Sequence, residues 1–310
     1  MIKPPQRPLR IGTRGSALAL AQVRLFVARL KSAHAGLPEP VVVVIKTTGD
    51  RVQDRPLAEL GGKGLFAKEI EQALLADTID CAVHSLKDLE TRLPPGLVIG
   101  AVLPRADPRD ALIAPAARSL ADLPEGASVA TGSIRRAAQL RALRPDLAIG
   151  PLRGNVDTRL TKIRGGAAAA TLLAMAGLER LGLSVPEATP LDPDVFLPAP
   201  GQGLVALECR ERDGHVRELL AACGDAASAA AMAAERALLA GLDGSCKTPI
   251  GALAAALPGG ALRLRALLAR ADGSLILHAE RVGTPGDAAA MGADAAADLR
   301  ARAPADLLAA

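Results

Sequence analysis

Short apolar runs bounded by glycine, proline or threonine alternate with amphipathic helical stretches through the first two thirds of the chain, and that alternation admits few architectures. A strand–helix–strand unit buries both elements only by laying the helix across a largely parallel sheet. Strands are expected near 8–13, 41–46, 80–84 and 97–103, with helices near 16–32 and 65–76. A second set places strands near 110–114, 127–131, 147–152 and 169–174, with helices near 133–144 and 155–164. The two sets read as similar α/β units. LPAPGQG (197–203) breaks the pattern and LVALE (204–208) resumes it as a buried strand, which marks a crossover between domains. The stretch from 213 to 240 is Ala-rich and helical; 250–257, 261–270 and 275–283 read as three strands with DGS (272–274) as a hairpin turn, and a helix near 286–301 follows. These last elements form an α+β domain.

At 310 residues, half of them apolar and 23% charged, the chain can bury several cores and is not disordered. Its net charge is only +4, and three Phe with no Trp or Tyr leave no stacking platform for single-stranded nucleic acid. The opening MIKPPQRPLR lacks the apolar region of an export signal, and no apolar run approaches a membrane span. Cys81, Cys209, Cys223 and Cys246 show no CxxC spacing and the four His are scattered, so no metal site is indicated and a reducing cytoplasm is expected.

Only eight of the 37 basic residues are lysine. An Arg-rich composition explains most of the arginines, so position decides which of them act. Three segments repeat one layout of strand, small-residue turn and arginine at a helix start: GTRGS (12–16), TGSIRR (131–136) and LRGNVDTR (152–159). Helix N-termini favour anions, and an arginine fork adds bidentate recognition. Each turn alone is also what a plain N-cap beside solvated arginines looks like. Together, at strand carboxyl ends, they point to a polyanion site between two domains.

HSLKD (84–88) puts Lys87 and Asp88 at another strand end, where one carboxylate among many arginines would stay ionised and stabilise a cation or relay a proton. The same pair is also consistent with an ordinary loop ion pair, and His84 reads as structural. GGKGLF (61–66) does not match a phosphate loop and reads as a mobile loop at a helix start, from which Lys63 and Phe66 reach a ligand unless Phe66 is simply core. LDGSCKTPIG (242–251) presents Cys246 in a turn with Lys247 beside it, a free surface thiol or an activated one. Cys81 and Cys209 lie in strand-like runs and Cys223 in a helical one.

The segments RIGTRGSALALAQ (10–22), TTGD (47–50), GGKGLFAKEIEQALL (61–75), AVHSLKD (82–88), DPRDALI (107–113), TGSIRRAAQL (131–140), LRGNVDTRL (152–160), AGLERLGL (176–183), LPAPGQGLVALE (197–208) and GSCKTPIG (244–251) resemble, in order and nearly end to end, the porphobilinogen deaminase family. The resemblance implies two α/β domains in the style of periplasmic binding proteins, 1–104 with 198–220 and 105–197, and a smaller α+β domain, 221–310. It implies a transferase that joins four porphobilinogen units head to tail with loss of ammonia. They are added to a dipyrromethane cofactor held as a thioether by Cys246, and the product leaves as hydroxymethylbilane for tetrapyrrole and heme biosynthesis.

Carried over by motif, Asp88 is the catalytic carboxylate that assists ammonia loss and stabilises the cationic azafulvene. Lys87, Thr131, Ser133, Arg135 and Arg136 then bind the cofactor; Arg14, Ser16, Arg153 and Arg159 bind substrate acid groups, with Lys63, Phe66, Gln22, Asp50 and Gln202 in lesser roles. The physical need is plain, because each pyrrole carries two carboxylates and each step passes through a cation. A cytoplasmic monomer without metal is expected, with no nucleic-acid or membrane partner. The other reading, a non-catalytic two-domain protein closing on an anionic ligand, would need neither Cys246 nor the Lys87–Asp88 pair. Two departures stand out: Leu89-Glu90-Thr91 replaces the family's residue-Pro-Thr after Asp88, and GGAAAAT (165–171) replaces a stretch with a Tyr-Asp pair. The first removes a rigid turn residue and sets a second carboxylate near Asp88, which would raise the pH that activity requires.

Overall fold

A computed structural model describes residues 7–51, 65–243 and 248–308. Elements are numbered along the chain. In the first of two compact units, residues 1–105 with 204–229, β1 (Arg10–Thr13) leads to α1 (Ala17–Ala33), β2 (Val41–Val44), the single turn α2 (Thr48–Arg51), α3 (Lys68–Leu75), β3 (Cys81–Ser85) and β4 (Leu97–Val102). The chain returns as β10 (Val205–Arg210) and α7 (Gly214–Ala221). The sheet order is β2-β1-β3-β10-β4, with the first three strands parallel and β10 antiparallel to both neighbours. The antiparallel fourth strand comes from the returning segment, so this unit cannot close until the chain has come back.

Alternation sorts the two faces of this sheet. Val83, Leu207 and Cys209 point to the side covered by Phe26 and Leu30 of α1 and Leu219 and Leu220 of α7. Ala82 and Leu97 point to the other side, under Ile70 and Leu74 of α3. The register of β4 against β10 slips at Leu207 and Glu208, where Gly100 is the extra residue. A side chain there would crowd Leu220 and the Cys209 sulfur.

The second unit, residues 106–203 with 230–310, repeats the plan. It holds β5 (Asp110–Ile113), β6 (Ser128–Ala130), α4 (Ile134–Leu143), β7 (Ala148–Gly150), α5 (Val156–Arg164), β8 (Ala170–Ala174), α6 (Met175–Arg180) and β9 (Ala188–Pro190). Their order is β7-β6-β8-β5-β9, again three parallel strands followed by an antiparallel fourth. Neither α6 nor β9 is anticipated from the sequence: each is short, and neither has a clean period.

The remaining elements are α8 (Ala226–Gly241), β11 (Ile250–Ala256), β12 (Leu262–Ala269), β13 (Ile276–Gly283), α9 (Ala288–Arg302) and the short α10 (Ala305–Leu308). The three strands form an antiparallel meander, and α8 and α9 pack on one face of it through Leu238, Ala295, Ala296 and Leu299. A Cβ on Gly292 would run into the Ala234 carbonyl, so the alanine-rich helices here are a close-packing device.

Of the two compact units, the second holds both the β5–β9 sheet and the meander. The first unit resumes at Leu204, and the stretch before it has local ties of its own. Residues 198–203 are tied into the second unit: Ala252 N–H donates to the Pro198 carbonyl, Gly201 N–H to the Glu235 carboxylate, and the Gln202 amide to Asp110.

Candidate functional site

In the first unit the residues of interest follow the carboxyl ends of β1 and β3. β1 passes through Arg14 and Gly15 to Ser16, whose Oγ accepts from Ala19 N–H at 3.2 Å and caps α1. Arg14 donates to Asp50 from Nη2 at 2.6 Å and from Nε at 3.1 Å, and its guanidinium lies 4.1 Å from the centre of the Phe66 ring. Phe66 thus lies over a cation. Gly49 permits this, since a Cβ there would occupy the space of the ring. Burial alone would raise the Asp50 carboxyl, but hydrogen bonds from Arg14 and Thr47 override it and hold the group below the usual carboxylate range.

β3 ends at Ser85, and a single 3-10 turn, Leu86–Asp88, follows. Leu86 N–H donates to the Leu204 carbonyl and Leu89 N–H closes the turn on Leu86, while the buried Leu86 and Leu89 side chains pin it down. Lys87 is thereby exposed and Asp88 half-buried. Among the described residues the Asp88 carboxylate makes no hydrogen bond or ion pair. Gln22 is buried and donates to Ser85 Oγ at 2.8 Å, so it orients the residue before this turn. Leu89 adopts the extended backbone that a residue before proline would, although no proline follows, and the charge of Glu90 bears on Glu71.

In the second unit Thr131, Gly132 and Ser133 follow β6. Ser133 N–H donates to Thr131 Oγ1 at 3.2 Å, and Ser133 Oγ caps α4 at Arg136 N–H. Arg135 and Arg136 point inward. Arg136 donates to Asp110 Oδ1 at 2.6 Å and to the Leu172 carbonyl at 2.8 Å. Arg135 reaches the Leu197 carbonyl at 2.6 Å and lies 2.8 Å from Asp110 Oδ2, an ion-pair contact whose angle is not that of a hydrogen bond. Gln202 completes the group with a 2.9 Å bond to Asp110 and one to the Pro108 carbonyl. Arg135, Arg136 and Gln202 thus all engage the buried Asp110 carboxylate.

Gly154, at φ +120°, lets the chain enter α5, whose N-cap is Asn155. Arg159 donates to the Gly154 carbonyl; Arg153 is half-exposed, and its carbonyl is held by Lys162. Arg180 is a residue that sequence reasoning passed over. Its Nη2 donates to the Gly203 carbonyl at 2.6 Å, its Nε is buried without a partner, and burial pushes its pKa down. Its only sequence signal is an arginine ending the short α6. Lys63 and Cys246, with Lys247, lie outside the described residues. Cys81, Cys209 and Cys223 are buried free thiols, their pKa values raised mainly by burial. The described residues hold no cluster of metal-ligating side chains, and no helix among them is long and apolar enough to cross a membrane.

Two family models match the chain, one described as porphobilinogen deaminase, dipyromethane cofactor binding domain, over residues 9–218, and one as porphobilinogen deaminase, C-terminal domain, over 229–301. The chain is 55% identical over 303 residues to a porphobilinogen deaminase of Paracoccus denitrificans, covering 97% of this chain and 96% of the relative. It is 52% identical over 294 residues to that of Nitrobacter hamburgensis, covering 94% and 93%. Among solved structures, a putative methionine-binding lipoprotein of Bacillus subtilis matches 69% of this chain and 90% of its own with a TM-score of 0.40 at 12% identity.

Proposed function

Because the chain belongs to the porphobilinogen deaminase family, we propose that Asp88 is the carboxylate at which it condenses porphobilinogen, four units head to tail with release of four ammonia molecules, the tetrapyrrole then being cut from its primer by water to give hydroxymethylbilane. The observation that carries this assignment is the state of Asp88: half-buried at the end of β3, beside exposed Lys87, with no partner among the described residues. Each condensation leaves a positively charged pyrrole when ammonia departs, and a fixed anion stabilises that charge most where water is partly excluded. Asp88 is such an anion.

The residues present suit a dipyrromethane carrying four carboxylates. Arg135 Nε and Arg180 Nε are buried N–H donors with no acceptor among the described residues, and a carboxylate is what such donors take. Thr131 and Ser133 at the start of α4 offer hydroxyl and backbone donors, and Lys87 and Arg153 offer charge. The cofactor supplies a fixed primer whose terminal pyrrole carbon is the nucleophile. Arg14, held between Asp50 and Phe66, is oriented to receive the acid side chains of substrate; in the first unit Ser16 caps α1 beside it, and in the second Arg159 lies in the first turn of α5. Cys246 as the attachment point rests on GSCKTPIG and on the family match. A cytoplasmic monomer belongs to the same reading, and the three free buried thiols among the described residues go with a reducing compartment.

The test is the intact mass of the purified protein beside that of Cys246→Ser, with turnover of porphobilinogen measured on both. Wild type should carry a two-pyrrole adduct and turn over, and Cys246→Ser should do neither. An adduct that persists in Cys246→Ser would overturn the attachment site.

A further inference from the structure

Glu71, His84 and Glu208 are three titratable side chains buried together on the α3 face of the first sheet, and the function above gives them no part. His84 stands opposite Ala206 across the β3–β10 ladder, and Glu208, two residues further on, projects from the same face. His84 Nε2 lies 2.9 Å from Glu208 Oε2, at an angle that makes it an ion-pair contact without a hydrogen bond. Glu71 Oε1 and both Glu208 oxygens are shut off from solvent with no hydrogen-bond donor. Native interiors rarely leave so many polar atoms orphaned at one point.

Two buried carboxylates beside one another repel when both are charged. Burial, and then the charges of Glu208 and Glu90, push the Glu71 carboxyl up to about 7, with His84 opposing them. Of the other charged groups on α3 and the elements around it, Lys68 is exposed and the rest are engaged elsewhere. Arg10 of β1 is tied to Asp80, and Arg210 of β10 to the Leu74 and Ile79 carbonyls; β4 carries none, and Glu69 on α3 itself accepts from Thr48. The turn after β3 adds Lys87, Asp88 and Glu90. His84 is only four residues from Asp88, and the chain between them is anchored by the Ser85–Val205 pairing and the Leu86–Leu204 bond.

We propose that Glu71, His84 and Glu208 are positioning residues for the Lys87–Asp88 turn. A proton held on Glu71 spares the buried site a second negative charge and keeps the end of β3 packed against β10 and α3; its loss places that charge beside Glu208 and lets the turn shift. This rests on the assignment of Asp88 to the reacting centre.

The experiment compares primer-loaded wild type, Glu71→Gln, Glu208→Gln and Asp88→Asn for kcat and KM on porphobilinogen from about pH 6 to about pH 9. Wild-type kcat should fall on the alkaline side with a midpoint near 7, while KM stays level. Either glutamine variant leaves a single carboxylate, so its kcat should stay flat, within about threefold of the wild-type acid plateau. A purely structural role would lower stability and leave the midpoint in place, so a glutamine variant that keeps the wild-type midpoint overturns the proposal. Near-normal turnover by Asp88→Asn instead overturns the Asp88 assignment, and the proposal with it. Should the variants not fold, carboxyl carbon NMR of wild type decides. A buried glutamate titrating near neutrality supports the cluster, and its absence refutes it.

Discussion

Arg136 meets Asp110 at 2.6 Å where neither has appreciable contact with water, and Arg135 approaches the other oxygen of the same carboxylate at 2.8 Å. Burial would raise the Asp110 carboxyl, but two guanidinium groups and Gln202 override it and hold it far below the usual range. Asp110→Asn keeps the shape and removes the charge, leaving two buried cations without a counter-ion. A loss of roughly 3–5 kcal/mol is expected, because breaking a buried pair on one side costs far more than the pair contributes. Thermal unfolding should fall by roughly 10 °C. A melting curve within about a degree of wild type would show that the arginines find other partners.

Stability should peak on the acid side of neutrality. Asp80, like Asp110, is held below its ordinary value, here by Arg7 and Arg10 against burial. Such groups stabilise the fold above their unfolded pKa and lose that contribution as pH falls through the folded one. Glu71 works in the opposite sense. Raised from 4.5 to about 7, it contributes fully below the lower value and loses its contribution as pH rises through the higher. Denaturant midpoints measured across this range should climb from strong acid to a maximum near pH 5 and then decline toward 7. Glu71→Gln should abolish the decline and spare the acid limb; a decline that survives the substitution would assign it to another group.

The fold was legible because its signals are local. Ser16, Ser133 and their neighbours read as helix starts since an N-cap is a contact of three residues, and the strands read as apolar runs bounded by glycine or proline. The partners of the site residues were not legible, because they come from afar. Asp110 is 26 residues from Arg136, and Glu208 reaches His84 only through an antiparallel ladder that forms after the chain returns. Arg135 and Arg136 carry a ligand-facing motif, yet only three dimensions reveal the acid that already holds them. Phe66 reads in sequence as core or contact, and the glycine that makes room for its ring, Gly49, lies far back in the chain.

Phe66 should matter through Arg14. With the guanidinium 4.1 Å from the ring centre, Phe66→Leu removes a cation–π contact of about 0.5–1 kcal/mol and leaves Arg14 held by Asp50 from one side only. An arginine free to swing away binds a substrate carboxylate less well, so KM for porphobilinogen should rise roughly two- to fivefold with a smaller change in kcat. Unchanged KM would detach Phe66 from substrate binding and leave it a packing residue.

Asp88 is best tested by comparing two substitutions that separate charge from position. Asp88→Asn preserves size and removes the anion. Because Leu86 and Leu89 anchor the 3-10 turn through the backbone and through buried side chains, the variant should fold, keep its primer by mass and lose turnover by roughly 10²–10⁴-fold. Asp88→Glu restores the anion but carries it one methylene further from the turn, and misplacement on that scale costs on the order of 10²-fold. Glutamate should therefore exceed asparagine while falling well short of wild type. If both variants are equally impaired, position outweighs charge and the carboxylate is not stabilising a cation. If asparagine matches wild type, the half-buried acid at the end of β3 plays no part in the chemistry, and the reacting centre must be sought among other acids.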